Sequence, residues 1–376
     1  MLRLHFCAYL LLICFSRYAA QQSQSDSSIR RELEPHEFDL ATSGKAFLLN
    51  EARGASFFML GELHGENEIP ALLRELWPQM WEGGYRYIAA EMSHWAANQL
   101  EFGSTDDALR VRGLWSKQEA TFVHPLRGTA QPVLWGCDID EMQPHLLVRE
   151  LASANPTDSS LQRMLEITKS GYNRNMAPEL LQHMPKSIAI RDRWINDVSL
   201  LSNLEATLEI DRDRLSPDAK FRAQLDRESL MKKLFLVHYQ KNIPFGSESK
   251  VMLRFGRNHL HKGFDSRGVS TLGNFVAEFA FAQHRTSFNV AAFGAGGKAS
   301  LAGETWDADE RNDDLAFQFL ASLARYPATV FDLRPLRQVL HRIPDENRSH
   351  LQSRLIYWSD SYDAIICYKT VTPLTQ

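Results

Sequence analysis

Short, unbroken apolar runs constrain this chain most. They fall at residues 57–60, 87–90, 133–135, 251–253, 288–293, 329–331 and 364–368, and they favour β-branched and aromatic side chains. Continuous runs of this length, without polar alternation, suit strands buried on both faces of a largely parallel sheet.

Between the first two runs, Ile69, Leu72, Leu73, Leu76 and Met80 recur at steps of three and four, the spacing of one helix face. Pro70 falls in the first turn, where a missing N–H costs nothing, and Pro78 is expected to kink the helix or end it early. Gly83 and Gly84 then turn the chain into the next run. Strand, helix and strand in this order form a βαβ unit, so the expected fold class is α/β, with a mainly parallel central sheet flanked by helices. No convincing strand appears from about residue 141 to 244. Leu200, Leu201, Leu204 and Leu208, then Leu230, Leu234 and Val237, give that stretch helical periodicity. It reads as a helical insertion beside the sheet, its charges forming a solvated face.

The first twenty residues differ from the rest. A basic start is followed by an apolar run at 6–15 and then small and polar residues. This pattern predicts a secretory signal peptide at 1–20, a flexible linker at 21–40 and a single α/β domain from 41 to 376 in an exported, periplasmic or extracellular protein. The apolar run is shorter than the ~20 residues a bilayer requires, so no membrane span is expected in the mature chain. Four cysteines in 376 residues do not make a disulfide scaffold. Two of them, Cys137 and Cys367, remain after export, as a pair or as buried thiols. A net charge of -4 argues against nucleic acid as the partner and leaves a small-molecule substrate.

In open parallel sheets ligands bind outside the carboxyl ends of the strands, so the residues after each run carry the functional signal. The first run leads into Gly61, Glu62, His64, Gly65 and Glu68; the second into Glu91; the third into Asp138; the fourth into Arg257, His259 and His261. Glu62 and His64 lie two apart and share a side of an extended chain. A carboxylate beside an imidazole fixes its tautomer and raises its basicity, as a general base for water requires. Arg257 suits an oxyanion, Glu91 and Asp138 suit orientation of a histidine or water, and His259 suits protonation of a leaving group.

Plainer roles compete. Glu68 reads as a first-turn acid of the following helix or as a substrate contact, Asp138 as a helix cap or a site acid, and His261 as a residue of the rim. His94 and His124 read as surface or packing histidines, and Trp77, Trp81 and Trp95 as core or groove aromatics. By ligand type alone, His64, His259 and the nearby acids suit zinc or manganese. No HExxH motif is present, however, and Arg257 would repel a cation, so the expected site holds no metal.

The segment 58–68, the segment 84–93, Trp135-Gly-Cys-Asp138, the Arg-Asp stretch at 190–196 and the strand from 250 to His259 resemble, in order, the erythromycin esterase-like superfamily. That group also holds the ChaN-type haem-binding lipoproteins and, more distantly, the Tiki and TraB proteins. The resemblance implies an α/β core with a helical insertion. It also implies metal-independent ester or lactone hydrolysis by histidine-activated water, with Glu62, His64, Glu91 and His259 as the catalytic positions. Arg257, Asp138, Glu68 and His261 would then contact substrate. The Glu62–His64 spacing is one residue shorter than the esterase form and closer to the ChaN type. The ChaN branch implies the alternative of a non-catalytic extracytoplasmic protein binding haem or another ligand.

Overall fold

Both faces of the central sheet are apolar, as the continuous runs require. A computed structural model describes residues 27–104, 133–140, 143–185, 194–195, 198–244, 246–301 and 303–375. The strands in chain order are β1 (Glu37–Asp39), β2 (Phe57–Glu62), β3 (Tyr85–Ala90), β4 (Leu134–Gly136), β5 (Trp194–Ile195), β6 (Val198–Ser199), β7 (Lys250–Gly256), β8 (Ser287–Gly294), β9 (Lys298–Leu301), β10 (Glu304–Asp307), β11 (Ala328–Asp332) and β12 (Ala364–Tyr368). Eight of them form one sheet in the order β1-β11-β12-β8-β2-β7-β3-β4. From β12 to β4 every neighbouring pair is parallel, whereas β11 runs antiparallel to both β1 and β12. Each apolar run of the sequence thus becomes a strand of this mostly parallel sheet.

Successive residues of one strand feed two cores. Phe58, Leu60, Ile88, Met252, Val290 and Ile366 pack on one face, against the helices Lys45–Gly54, Glu68–Glu82 and Pro144–Ala154. Phe57, Met59, Tyr87, Leu253, Phe293 and Ile365 pack on the other, against Lys220–Asn242, Leu272–Ala282 and His350–Ser361. This two-sided burial is why the runs show no alternation.

Several expectations are corrected. The helix after β2 runs through Pro78 to Glu82, because Trp77 and Met80 on its inner face are both 2% exposed and hold the last turn to the core. From Ser27 onward the expected linker belongs to the fold: Ile29 and Leu33 are buried and β1 pairs with β11. The signal segment, the Arg-Asp residues 190–193 and His124 lie outside the described residues.

The insertion is largely helical, with Leu200, Leu204 and Leu208 buried, and a short β5–β6 hairpin interrupts it. Its charges are not all solvated. Asp211, Asp213, Arg227 and Glu228 are buried. Cys137 and Cys367 are buried free thiols, the first just after β4 and the second on β12. Five inter-strand spacings separate those two strands, about 24 Å at 4.8 Å each, far beyond disulfide reach. Among the described residues no helix is long and apolar enough to cross a membrane.

Candidate active site

Three parallel strands deliver the central groups. Glu62 is the last residue of β2, Glu91 follows β3, and β7 carries Arg254 before ending at Gly256, from which a single turn, Arg257–His259, presents His259. Because β7 lies between β2 and β3, the carboxyl ends of all three are adjacent. Gly65 lets the chain turn away after His64: its φ is +100°, and a Cβ there would meet the Trp306 ring at 2.9 Å.

His64 donates from Nδ1 to Glu62 Oε1 at 2.8 Å, and its Nε2 lies 3.3 Å from Glu91 Oε2. Glu62 also receives Arg254 Nε at 2.9 Å and Nη2 at 3.2 Å. Glu91 receives Arg227 Nη2 at 2.9 Å and the Gly256 backbone N–H at 2.5 Å. His259 Nε2 is 3.4 Å from Glu91 Oε1, so one carboxylate faces two imidazoles. On the far side, His259 Nδ1 donates to Glu228 Oε1 at 2.5 Å, and Glu228 Oε2 accepts the Leu272 N–H at 2.8 Å. Arg227 also binds Asp138 through Nε, at 3.0 Å, and through Nη2. The structure therefore brings together Glu62, His64, Glu91, Asp138 and His259, as the strand-end argument requires. It adds Arg254, Arg227 and Glu228.

Protonation follows from this packing. Burial opposes charge on Glu62, His64, Glu91 and His259, but the partners override it. Glu91 and Glu62 hold the His64 imidazolium, whose pKa rises to about 10. Glu91 and Glu228 raise His259 to about 9. Arg254 and His64 pull Glu62 below the usual carboxylate range, and the two imidazoles pull Glu91 well below it. By formal charge, four carboxylates face two guanidiniums, so the cluster balances when both imidazoles are protonated. In this resting form His64 is an acid. Its side chain is 23% exposed, whereas Glu62, Glu91, Asp138, Arg227, Arg254, Glu228 and His259 are all at or below 9%.

Other expected residues lie elsewhere. The Arg257 guanidinium stacks 4.5 Å from the Phe317 ring centroid and donates to Asn312 Oδ1 at 2.7 Å. Burial lowers its pKa, and Tyr362, Glu66 and Asp314 are the leading groups that oppose the shift. His261 is not on a rim. It is fully buried, with Nδ1 3.0 Å from Ser361 Oγ and its ring against Tyr357, Trp358 and Tyr362. Burial lowers its pKa to about 4, so it packs as a neutral ring.

Glu68 opens its helix and accepts the Thr372 N–H at 3.0 Å and Oγ1–H at 2.8 Å, tying down the C-terminal segment. Among the described residues Asp138 caps no helix: the helix Pro144–Ala154 has Gln143 at its N-cap. His94 is a buried packing histidine, pushed down to about 3 by burial.

Sequence reasoning missed Arg254 and Glu66. A lone arginine inside a doubly buried apolar strand requires a buried anion, so Arg254 was detectable from its neighbours. Glu66 is 2% exposed. It accepts the Gly294 N–H at 3.1 Å through Oε1, while Oε2 has no hydrogen-bond partner among the described residues, and burial pushes its carboxyl up to about 8. The donor set suits an imidazole–carboxylate network rather than a cation, because arginine already holds Glu62, Glu91 and Asp138. Among the described residues, no three His, Cys, Asp or Glu side chains converge as metal ligands. Haem ligation by His64 fits no better, since both ring nitrogens face carboxylates.

No protein-family model matches this chain, and no curated protein matches it by sequence. Solved structures do match. A Bacillus cereus protein superposes with a TM-score of 0.60 at 12% identity, covering 93% of this chain and 99% of the other. A succinoglycan biosynthesis protein gives 0.55 at 12%, over 93% and 98%. An erythromycin esterase, a histidine-to-asparagine variant in its open conformation, gives 0.56 at 15%, over 92% and 97%. At such identities the likeness is one of fold alone. It spans nearly the whole of each chain.

Proposed function

We propose that this protein is a hydrolase of small-molecule esters or lactones in which His64 activates water. The observation that carries this reading is that His64, held between Glu62 and Glu91, is the one member of the charged cluster with substantial exposure to solvent. The longer of its two contacts, 3.3 Å to Glu91, is the one a substrate water could replace. In the base form, Nε2 takes a proton from water, the oxygen attacks the carbonyl carbon, and the same proton returns to the leaving alkoxide as the tetrahedral intermediate collapses. Glu62 keeps Nδ1 protonated and the ring fixed. Arg254 keeps Glu62 anionic. Because the resting imidazole carries a proton up to about pH 10, the base form is scarce near neutrality and turnover should climb with pH.

The experiment is a panel of esters, lactones and amides, assayed with wild type beside His64→Ala from pH 6 to 10. The reading expects ester or lactone turnover that rises with pH and is lost in the variant, with the far-ultraviolet circular dichroism unchanged. Equal turnover in both proteins would overturn it. Export belongs to the same proposal, and N-terminal sequencing of chain recovered outside the cytoplasm should begin near residue 21.

A further inference from the structure

The second imidazole is held by a residue that neither the apolar runs nor their polar ends pick out. Glu228 lies in the long helix Lys220–Asn242 of the insertion, next to Arg227, and it is fully buried. Both its oxygens are committed, one to His259 Nδ1 at 2.5 Å and the other to the Leu272 N–H at 2.8 Å. The backbone bond fixes the carboxylate at the start of the helix Leu272–Ala282, and so fixes which way the His259 ring points. The contacts then run without interruption from Glu228 through His259 and Glu91 to His64.

We propose that Glu228 is a positioning residue that holds His259 as an Nδ1-protonated cation, and that this charge, facing Glu91, makes His64 easier to deprotonate. The proposal rests on the hydrolase reading for its kinetic consequence but not for its electrostatics. Glu91 is shared. When His259 is positive it takes part of the attraction that would otherwise bind the His64 proton. Remove that charge, and Glu91 faces His64 alone. The other charged groups around His259 come from separate elements. Arg227 binds Glu91 from the long helix, and Arg267 lies 3.9 Å from Glu228 Oε1 while bound to Asp265. His64 follows β2. None of these supplies a second acceptor to His259 Nδ1.

Glu228→Gln keeps the size and removes the charge. His259 and the Leu272 N–H are held by different oxygens of Glu228, and an amide puts a donor in place of one of them. The test tracks the histidine ring resonances of the full chain by NMR across pH 5 to 10. In wild type the ring assigned to His259 should stay doubly protonated beyond pH 8, and in Glu228→Gln it should titrate at least two pH units lower. Glu228→Asp, which keeps the charge, should restore most of the shift. Wherever turnover is found, the pH at half-maximal rate should move upward in Glu228→Gln, with a loss of roughly tenfold at neutral pH for each unit moved.

A His259 ring already neutral at pH 7 in wild type overturns the proposal even if the variant fails to fold. So does a titration unaltered in a folded Glu228→Gln. If no substrate is ever turned over, the hydrolase reading fails, and the ring titrations still decide this one.

Discussion

Arg254 and Glu62, 192 residues apart in sequence, meet through two hydrogen bonds of 2.9 and 3.2 Å, with both side chains at least 96% buried. The guanidinium sits in the middle of an apolar strand and the carboxylate at the tip of its neighbour. Arg254→Met would leave Glu62 buried beside only the His64 ring. Breaking a buried pair from one side costs about 3–5 kcal/mol, whereas replacing both partners with apolar residues is often nearly neutral. Urea denaturation should therefore show a large loss for Arg254→Met and a smaller one for Arg254→Met combined with Glu62→Leu. Equal losses would mean that the pair contributes packing and not charge compensation.

Stability should peak over a window set by the imidazole cluster. His64 and His259 have folded pKa values of about 10 and about 9 against ordinary values of 6.5, so their contribution is complete below 6.5 and lost as pH rises through 9 and then 10. Glu62 and Glu91 are shifted downward, so theirs is complete above 4.5 and lost as pH falls through their lowered values. Urea midpoints measured from pH 3 to 10.5 should decline at both ends, and His64→Gln should flatten the alkaline decline. A variant that tracks wild type above pH 8 would show that the imidazole is not held as a cation.

Much of this arrangement is legible in the sequence, for a physical reason. A strand buried on both faces admits a polar side chain along its length only where a partner is built for it, as for Arg254, so most of the chemistry sits in the residues just beyond the apolar runs. Glu62, His64, Glu91, Asp138 and His259 are found that way. The same rule overreaches at His261, whose neighbours Tyr357 and Trp358 come from the helix His350–Ser361 and Tyr362 from the residue after it, about a hundred residues on. At Arg257 the guanidinium packs on Phe317 and donates to Asn312. Arg227 and Glu228 are hidden because they stand among many exposed charges on one long helix. Nothing local marks which two of them face inward.

Glu66 should tilt the stability profile in a direction of its own. Its folded pKa, raised by burial to about 8 against 4.5, means that below 4.5 the group is neutral in both states. Between 4.5 and 8 only the unfolded chain ionises, so folding loses stability as pH rises, and the loss is complete above 8. Glu66→Gln removes this titration while an amide oxygen can still accept the Gly294 N–H. The melting temperature of the variant, relative to wild type, should increase from pH 5 to 8 and level off beyond. A difference that stays constant across that range would show that Glu66 is ionised in the folded protein.

Gly256 makes the sharpest separation between site geometry and fold. It is the last residue of β7, its backbone N–H donates to Glu91 Oε2, and a Cβ on it would fall 2.8 Å from His64 Nε2 and 3.2 Å from Glu91 Oε2. Contact that close forces one of the two side chains to move, and the backbone of β7, paired on both sides, is the stiffer element. Gly256→Ala should therefore displace His64 from between its two carboxylates and leave the sheet intact. Misplacement by about 1 Å can cost on the order of 100-fold in rate. Turnover of whichever ester or lactone the wild type accepts should fall by about that factor in Gly256→Ala, with the thermal unfolding midpoint shifted by only a few degrees. Full activity in the alanine variant would mean that the space beside His64 Nε2 is not where the reaction takes place.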